Sequence, residues 1–301
     1  MLPKLLLFLI CLTSSSWAME GSRSEMRKPN RTLPTQTEKS VPPAPEQKPP
    51  APTYQAPPSP PPVIKPRTEE DAKPANPSAG AESGTHITYY GHAFIYLTSK
   101  SGVRVALNPF TEGSVDYTFP KNLPADIVLI SSESADHAGG QHFFGVPQIF
   151  RSLTGLGANR ANGIPFRGIE TYRDDREGRE LGKNAVYVVE MDNMRFCHLG
   201  TLGHPLSSRQ ADAIGRVDVL FLPVGLTTIA NRDIWKMVEQ LQPKWIVPIT
   251  YQTDKNKKVS LRPLSEFEME THPVMNSLSN EYTFNAQSLP AIPTILLIKN
   301  P

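Results

Sequence analysis

The sequence predicts an α/β domain, a sheet packed between helices, preceded by a disordered proline-rich segment. Two observations lead there. Sixteen of the 31 prolines lie between Pro29 and Pro77. From Thr85 onward the texture changes to short β-rich runs divided by Gly and Pro, paired at first and later alternating with a helical stretch. The 301 residues thus divide at 1–18, 19–85 and 86–301.

Residues 1–18 read as a signal peptide. Lys4 gives a positive start, Leu5–Leu12 an apolar run of eight residues, and Ser16-Trp17-Ala18 a small-x-small cleavage site. The run falls far short of the ~20 residues that span a bilayer. The expected mature protein is therefore exported, periplasmic or extracellular, with no transmembrane helix after cleavage. Residues 19–85 mix Pro, Ser, Thr, Ala, Glu and Lys, with runs such as Ser59-Pro60-Pro61-Pro62. Too little apolar surface is present to offset the ordering entropy, and proline biases such a chain toward polyproline II. This stretch reads as a spacer, or as a PxxP ligand or wall-crossing arm.

In the folded region, His86–Leu97 and Val103–Leu107 read as a hairpin turning at Ser99–Gly102. Asp126–Ser131 is nearly continuous in apolar residues, as a strand covered on both faces should be. Ala185–Val189 and Met194–Leu199 form a second strand pair turning at Asp192-Asn193. Val217–Pro223 and Trp245–Ile249 are buried strands, and Thr294–Ile298 is a terminal strand. Between them Arg232–Leu241 carries Ile234, Trp235, Val238 and Leu241 on one helical face.

Composition excludes several functions. Residues 86–301 hold 21 Lys and Arg against 21 Asp and Glu, so no nucleic-acid footprint is expected. With only Cys11 and Cys197, neither a disulfide framework nor a CxxC zinc site can form, and Cys197 reads as a buried thiol. Gly155-Leu156-Gly157 lacks the third glycine of a dinucleotide loop; there is no GKS/T phosphate loop and no GxSxG elbow. Ser132 and Ser134 stand near His137, but spacing places no orienting acid for a nucleophile–base pair.

Ser132-Glu133-Ser134-Ala135-Asp136-His137 follows the Asp126–Ser131 strand, where the metallo-β-lactamase fold family carries HxHxDH. The chain resembles that family over about residues 85–264. Gly178–Asn184 (GRELGKN) and Cys197–His204 (CHLGTLGH) are similar to segments of one branch of zinc-dependent hydrolases, and Asp218–Gly225 and Gln242–Tyr251 continue the similarity. The resemblance implies an αββα sandwich.

It also implies a two-zinc site, and there the chain departs. The family's metal positions fall on Ser132, Ser134, Asp136, His137, His198, Thr201 and Thr250, and a further family histidine falls on Arg173. One zinc would rest on Ser132, Ser134 and His198. The other would rest on Asp136 and His137, with Thr201 and Thr250 in place of an Asp and a His. Zinc is held by imidazole, thiolate or carboxylate, and a hydroxyl is a poor substitute. Arg173 adds a fixed positive charge. The metal that would lower a bound water from pKa 15.7 to about 7 is thus not expected to be retained.

The leading expectation is an exported domain with a degenerate metal centre, no cofactor, and a binding or structural role, with a cell-envelope component as a conceivable partner. The alternative is a divergent hydrolase with a single zinc on Asp136, His137 and His198. A third reading makes the tether the working part. His92, in Tyr90-Gly91-His92-Ala93, matches the family but reads as structural. His204 reads as a surface or helix-entry residue, and His86, His142 and His272 lack partners at recognisable spacing.

Overall fold

The computed structural model describes residues 84–269 and 271–301. Residues 1–18, read as a signal peptide, and all but the end of the stretch 19–85 lie outside the described residues. Strand β1 (Thr85–Tyr89) pairs antiparallel with β2 (Ile95–Thr98), which pairs antiparallel with β3 (Arg104–Leu107). The single strand expected over His86–Leu97 is thus two. Gly91 (φ 92°) and His92 (φ 53°) turn the chain between them, a reversal that alternating hydrophobicity does not reveal. Strands β4 (Ile127–Leu129) and β5 (Gln148–Phe150) add in parallel.

The second sheet opens with a hairpin of β6 (Gly157–Ala161) and β7 (Ile164–Tyr172). Its turn residues Asn162 and Gly163 take φ of 45° and 80°, the primed-turn geometry that Asn-Gly favours. Strands β8 (Lys183–Met191) and β9 (Met194–His198) turn at Asp192-Asn193 as expected. Helix α1 (Ser208–Ile214) starts from a capping box in which Ser207 and Gln210 satisfy each other's backbone N–H. Then follow β10 (Val219–Pro223), α2 (Asn231–Leu241) and β11 (Trp245–Ile249), with β9, β10 and β11 parallel neighbours. Near the C-terminus, β12 (Val274–Asn276) and β14 (Thr294–Leu297) extend the second sheet, while β13 (Glu281–Phe284) returns to pair with β1.

The sheets run β13-β1-β2-β3-β4-β5 and β12-β14-β11-β10-β9-β8-β7-β6. Alternation along each strand sorts the core into layers. Ile87, Leu97, Val105 and Leu129 meet Tyr187, Val189, Phe196, Phe221 and Val247 between the sheets. Val188, Cys197, Leu220, Leu222 and Ile246 point the other way, against Ile214 of α1 and Ile234, Met237, Val238 and Leu241 of α2. On the outer face of the first sheet, Phe94, Tyr96, Val128 and Ile130 are covered by Phe110, Tyr117, Phe119 and Phe143. This cover is irregular chain with one 3-10 turn at Gly140–His142, knit by ring contacts such as Phe94–Phe119 at 5.6 Å. Each such aromatic pair adds about 0.5–1.5 kcal/mol beyond its buried area.

Parallel pairing sends the ends of β9, β10 and β11 to one edge of the sandwich. The loop after β4 reaches the same edge, because the Ala185 N–H donates to the Ser131 carbonyl at 2.8 Å. Loops at the carboxyl ends of parallel strands are where α/β sheets place their sites.

Candidate active site

Backbone geometry fixes the loop that follows β4. Asn108 (φ 49°) donates from Nδ2 to Ser131 Oγ and accepts from the Ser131 N–H, both at 2.8 Å. The Gly139 N–H donates to the Pro109 carbonyl at 2.7 Å, and a Cβ on Gly139 would stand 2.0 Å from the Phe110 oxygen. Asn184 joins three loops: its Nδ2 donates to Thr171 Oγ1 at 2.7 Å and to the Leu199 carbonyl at 3.0 Å, while its Oδ1 accepts from the Thr201 N–H at 2.9 Å. The GRELGKN and CHLGTLGH segments therefore share a framework around this edge whatever chemistry it performs.

The structure brings Asp136 and His137 together, and adds His92. One nitrogen from each imidazole and a carboxylate oxygen all lie within 4.8 Å of one another. His92 Nε2 is 3.1 Å from Asp136 Oδ2, and Ser134 Oγ donates to Asp136 Oδ1. His137 Nδ1 lies 3.0 Å from Oδ1, an ion-pair contact, while His137 Nε2 has no hydrogen-bond partner among the described residues. Burial works to raise the Asp136 carboxyl. The charge of His137 and the contacts of both imidazoles outweigh it and hold the group well below the usual carboxylate range. Burial also lowers His92, against the bond to Asp136.

His198 is not part of this cluster. Its Nδ1 accepts from the Gly200 N–H at 2.9 Å, which leaves the proton on Nε2, and Nε2 donates to the Ala93 carbonyl at 2.9 Å. Both nitrogens are committed. Burial pushes its pKa down to about 3, so the ring is neutral at pH 7.

The substituted positions fall as follows. Ser132 is fully buried and its hydroxyl has no partner among the described residues. Thr201 Oγ1 donates to Asn184 Oδ1 at 3.2 Å. Thr250 is fully buried at φ 53°, a left-handed conformation rare for a β-branched residue, and its hydroxyl is also unpartnered. Its N–H donates to the carbonyl of His92, itself left-handed, at 2.8 Å. Arg173 Nη1 donates to the Leu181 carbonyl at 3.2 Å, and its buried Nε is unpartnered. Next to it, both oxygens of Asp174 accept from the N–H groups of Arg176, Gly178, Glu180 and Leu181. His92, Asp136, His137, Arg173, Thr201 and Thr250 border one cavity of about 140 Å³.

The donors of this edge do not fit a two-zinc site. Ser132, Ser134, Thr201 and Thr250 offer neutral hydroxyls, Arg173 offers a cation, and His198 has no free lone pair. His204 lies outside the cluster: it accepts from the Tyr172 N–H at 3.1 Å through Nε2 and caps its own loop through Pro205. His86, His142 and His272 contact Thr283, the Glu112 N–H and the Trp235 ring, respectively. A larger cavity, about 790 Å³, lies beside α2 between Asp218, Trp235, Lys244 and His272, and none of the motif metal positions borders it.

The sequence reads His92 as structural rather than as a ligand, because it stands 44 residues before Asp136 on another turn. The Tyr-Gly-His-Ala match was the only signal for it.

Residues 86–250 match the family described as beta-lactamase superfamily domain. A UPF0173 metal-dependent hydrolase from Thermococcus onnurineus is 25% identical over 191 residues, covering 56% of this chain and 84% of the relative. Another from Thermus thermophilus is 26% identical over 189 residues, with 56% and 84% covered. Among solved structures, a Thermotoga maritima protein assigned to the Zn-dependent hydrolases of the metallo-β-lactamase superfamily aligns with a TM-score of 0.56 and 27% identity, over 71% of this chain and 100% of its own. The two facing sheets, the site at the carboxyl ends of their strands and these matches agree: the chain belongs to the metallo-β-lactamase superfamily.

Proposed function

We propose that the domain is a non-catalytic descendant of metal-dependent hydrolases, using the old active-site edge for binding rather than for hydrolysis. One observation carries this reading: Ser132, Ser134, Arg173, Thr201 and Thr250 stand at family metal positions, and none of them offers the imidazole or carboxylate that zinc needs. His198, whose residue type would suit a metal, is engaged by Ala93 and Gly200 instead. The same proposal places the domain outside the cytoplasm, carried by the signal-like residues 1–18 and the proline-rich segment; intact Met1 on exported material would contradict that part.

A second reading, a hydrolase with one metal, is favoured by the approach of His92, Asp136 and His137 to within 4.8 Å. Two imidazoles and a carboxylate are a known zinc donor set and could polarise a water. Elemental analysis of the dialysed protein separates the two. The non-catalytic reading expects well under one zinc per chain and no chelator-sensitive ester or lactone turnover. Stoichiometric metal with chelator-sensitive turnover overturns it. The combined variant Ser132→His, Ser134→His, Thr201→Asp, Thr250→His, with Arg173→His, is expected to gain metal relative to wild type.

A further inference from the structure

We propose that the cavity bordered by Arg173, His137 and Thr250 binds a small oxyanion, a carboxylate or phosphate group, with the Arg173 guanidinium as its principal partner. The inference rests on the non-catalytic reading and adds the class of ligand.

Charge is the first argument. Arg173 is the only Lys or Arg bordering the cavity. A guanidinium carries five N–H donors and stays protonated. Among the described residues its side chain has a single acceptor, the Leu181 carbonyl, while its buried Nε has none. The acidic group bordering the same cavity makes no ion pair with it among the described residues. Asp136 accepts from Ser134 and contacts His92 and His137 at 3.1 and 3.0 Å, so its negative charge is shared within its own cluster.

Unused polar groups are the second. Nε2 of His137 and the hydroxyl of Thr250 are buried, have no hydrogen-bond partner among the described residues, and belong to residues bordering the cavity. Leaving such groups unsatisfied costs about 1–3 kcal/mol each. An oxyanion accepts from an imidazole N–H, a hydroxyl and a guanidinium together. Thr227, Thr228 and Ser260 bring further exposed hydroxyls to the mouth.

Size and rigidity are the third. A cavity of about 140 Å³ has room for roughly five waters at ~30 Å³ each. That suits an anionic group rather than a large metabolite. The backbone under Arg173 is held on both sides. Its N–H donates to the Gly182 carbonyl at 3.1 Å, and a Cβ on Gly203 would stand 1.9 Å from its carbonyl oxygen. With the backbone fixed before binding, only the side chain of the donor is left to order on engaging its ligand.

The test uses the full-length protein dialysed against chelator. Inorganic phosphate, sulfate and acetate are titrated by calorimetry and thermal shift, against chloride at matched ionic strength. At least one oxyanion is expected to bind saturably. Arg173→Leu should weaken it at least about tenfold, and Arg173→Lys, which keeps the charge but loses the fork, by less. Arg232→Gln, on the exposed side of α2, should leave binding unchanged. Circular dichroism checks that each variant is folded, and Arg173→Lys carries the test if Arg173→Leu is not.

The inference is overturned if no oxyanion outdoes chloride, or if folded Arg173 variants bind like wild type. Metal in the protein as isolated bears on the underlying reading separately. Arg173-dependent binding that survives chelation supports the oxyanion pocket even then. Binding that vanishes with the metal sinks it.

Discussion

Replacing Thr250 by glycine should stabilise this protein, although it deletes a fully buried side chain. Thr250 sits at φ 53° with its hydroxyl unpartnered among the described residues. A non-glycine residue held in such a region costs about 1–3 kcal/mol, which glycine removes. The orphaned hydroxyl costs about 1–3 kcal/mol more. Against these stand the lost burial of two carbons, Cβ and Cγ2, about 1.6 kcal/mol, and the greater freedom of unfolded glycine, about 0.5–1 kcal/mol. Taken at the middle of these ranges, the balance favours the variant by about 1–2 kcal/mol, which for a domain of this size raises Tm by about 2–8 °C. Urea and thermal unfolding of wild type, Thr250→Gly and Thr250→Val measure it in buffer free of oxyanions. Thr250→Val keeps the β-branch and the strain but removes the hydroxyl, so it should recover only part of the gain. Loss of more than about 1 kcal/mol in both variants would refute the reasoning, because the hydroxyl would then have to be bonded and the backbone unstrained. The same glycine variant should bind phosphate more weakly than wild type, a trade of function for stability.

Other outcomes follow from neighbouring residues. His198 has its pKa lowered to about 3, so the unfolded chain binds its proton first as acid is added. The stability this group provides is complete above about pH 6.5 and is lost as pH falls toward 3, by up to about 5 kcal/mol; His198→Gln should flatten that part of a stability–pH curve, and an unchanged slope would contradict the assignment. Gly203→Ala should cost at least about 2 kcal/mol, because its Cβ would stand 1.9 Å from the Arg173 carbonyl oxygen; a wild-type urea midpoint would show that the loop can yield. Asp174→Ala removes the acceptor of four backbone N–H groups, and limited proteolysis should then cut within residues 176–181 faster than in wild type. Those bonds hold the Asp174 carboxyl below its ordinary value, the Leu181 N–H most of all, so the loop should also loosen in wild type as pH falls below about 4.

Where burial imposes a clear period, the sequence could be read closely. Trp245–Ile249 is β11 as expected, and the helix read over Arg232–Leu241 begins one residue earlier, at Asn231. Asp192-Asn193 announced the β8–β9 turn through two residues that tolerate positive φ. The hairpin of β6 and β7 escaped notice because Gly157–Ala161 is largely exposed and shows no alternation, even with Asn162-Gly163 beside it. Helix α1 escaped because only Ile214 on it is buried, too little for a stripe. At the site, the family resemblance singled out Asp136, His137, Arg173, Thr201 and Thr250, and the structure places all five around one cavity. It could not show that the lone pair and proton of His198 are bound to Gly200 and Ala93, nor that a left-handed turn delivers His92 to Asp136. Those facts depend on backbone dihedrals and tautomers, which residue identity alone leaves open.

Cys197 lies in β9, fully buried between its neighbours β8 and β10, and burial pushes its thiol well above the ordinary value. A thiol reagent needs both access and thiolate, and the native state withholds both. Modification therefore requires β9 to come away from the centre of the second sheet. The rate at which a small disulfide reagent labels Cys197 becomes a clock for opening of the core, read without any introduced probe. If cleavage after Ala18 removes Cys11, as the proposed export requires, no second thiol complicates the signal. Each variant described above could then be ranked under native conditions, where denaturant curves are blind.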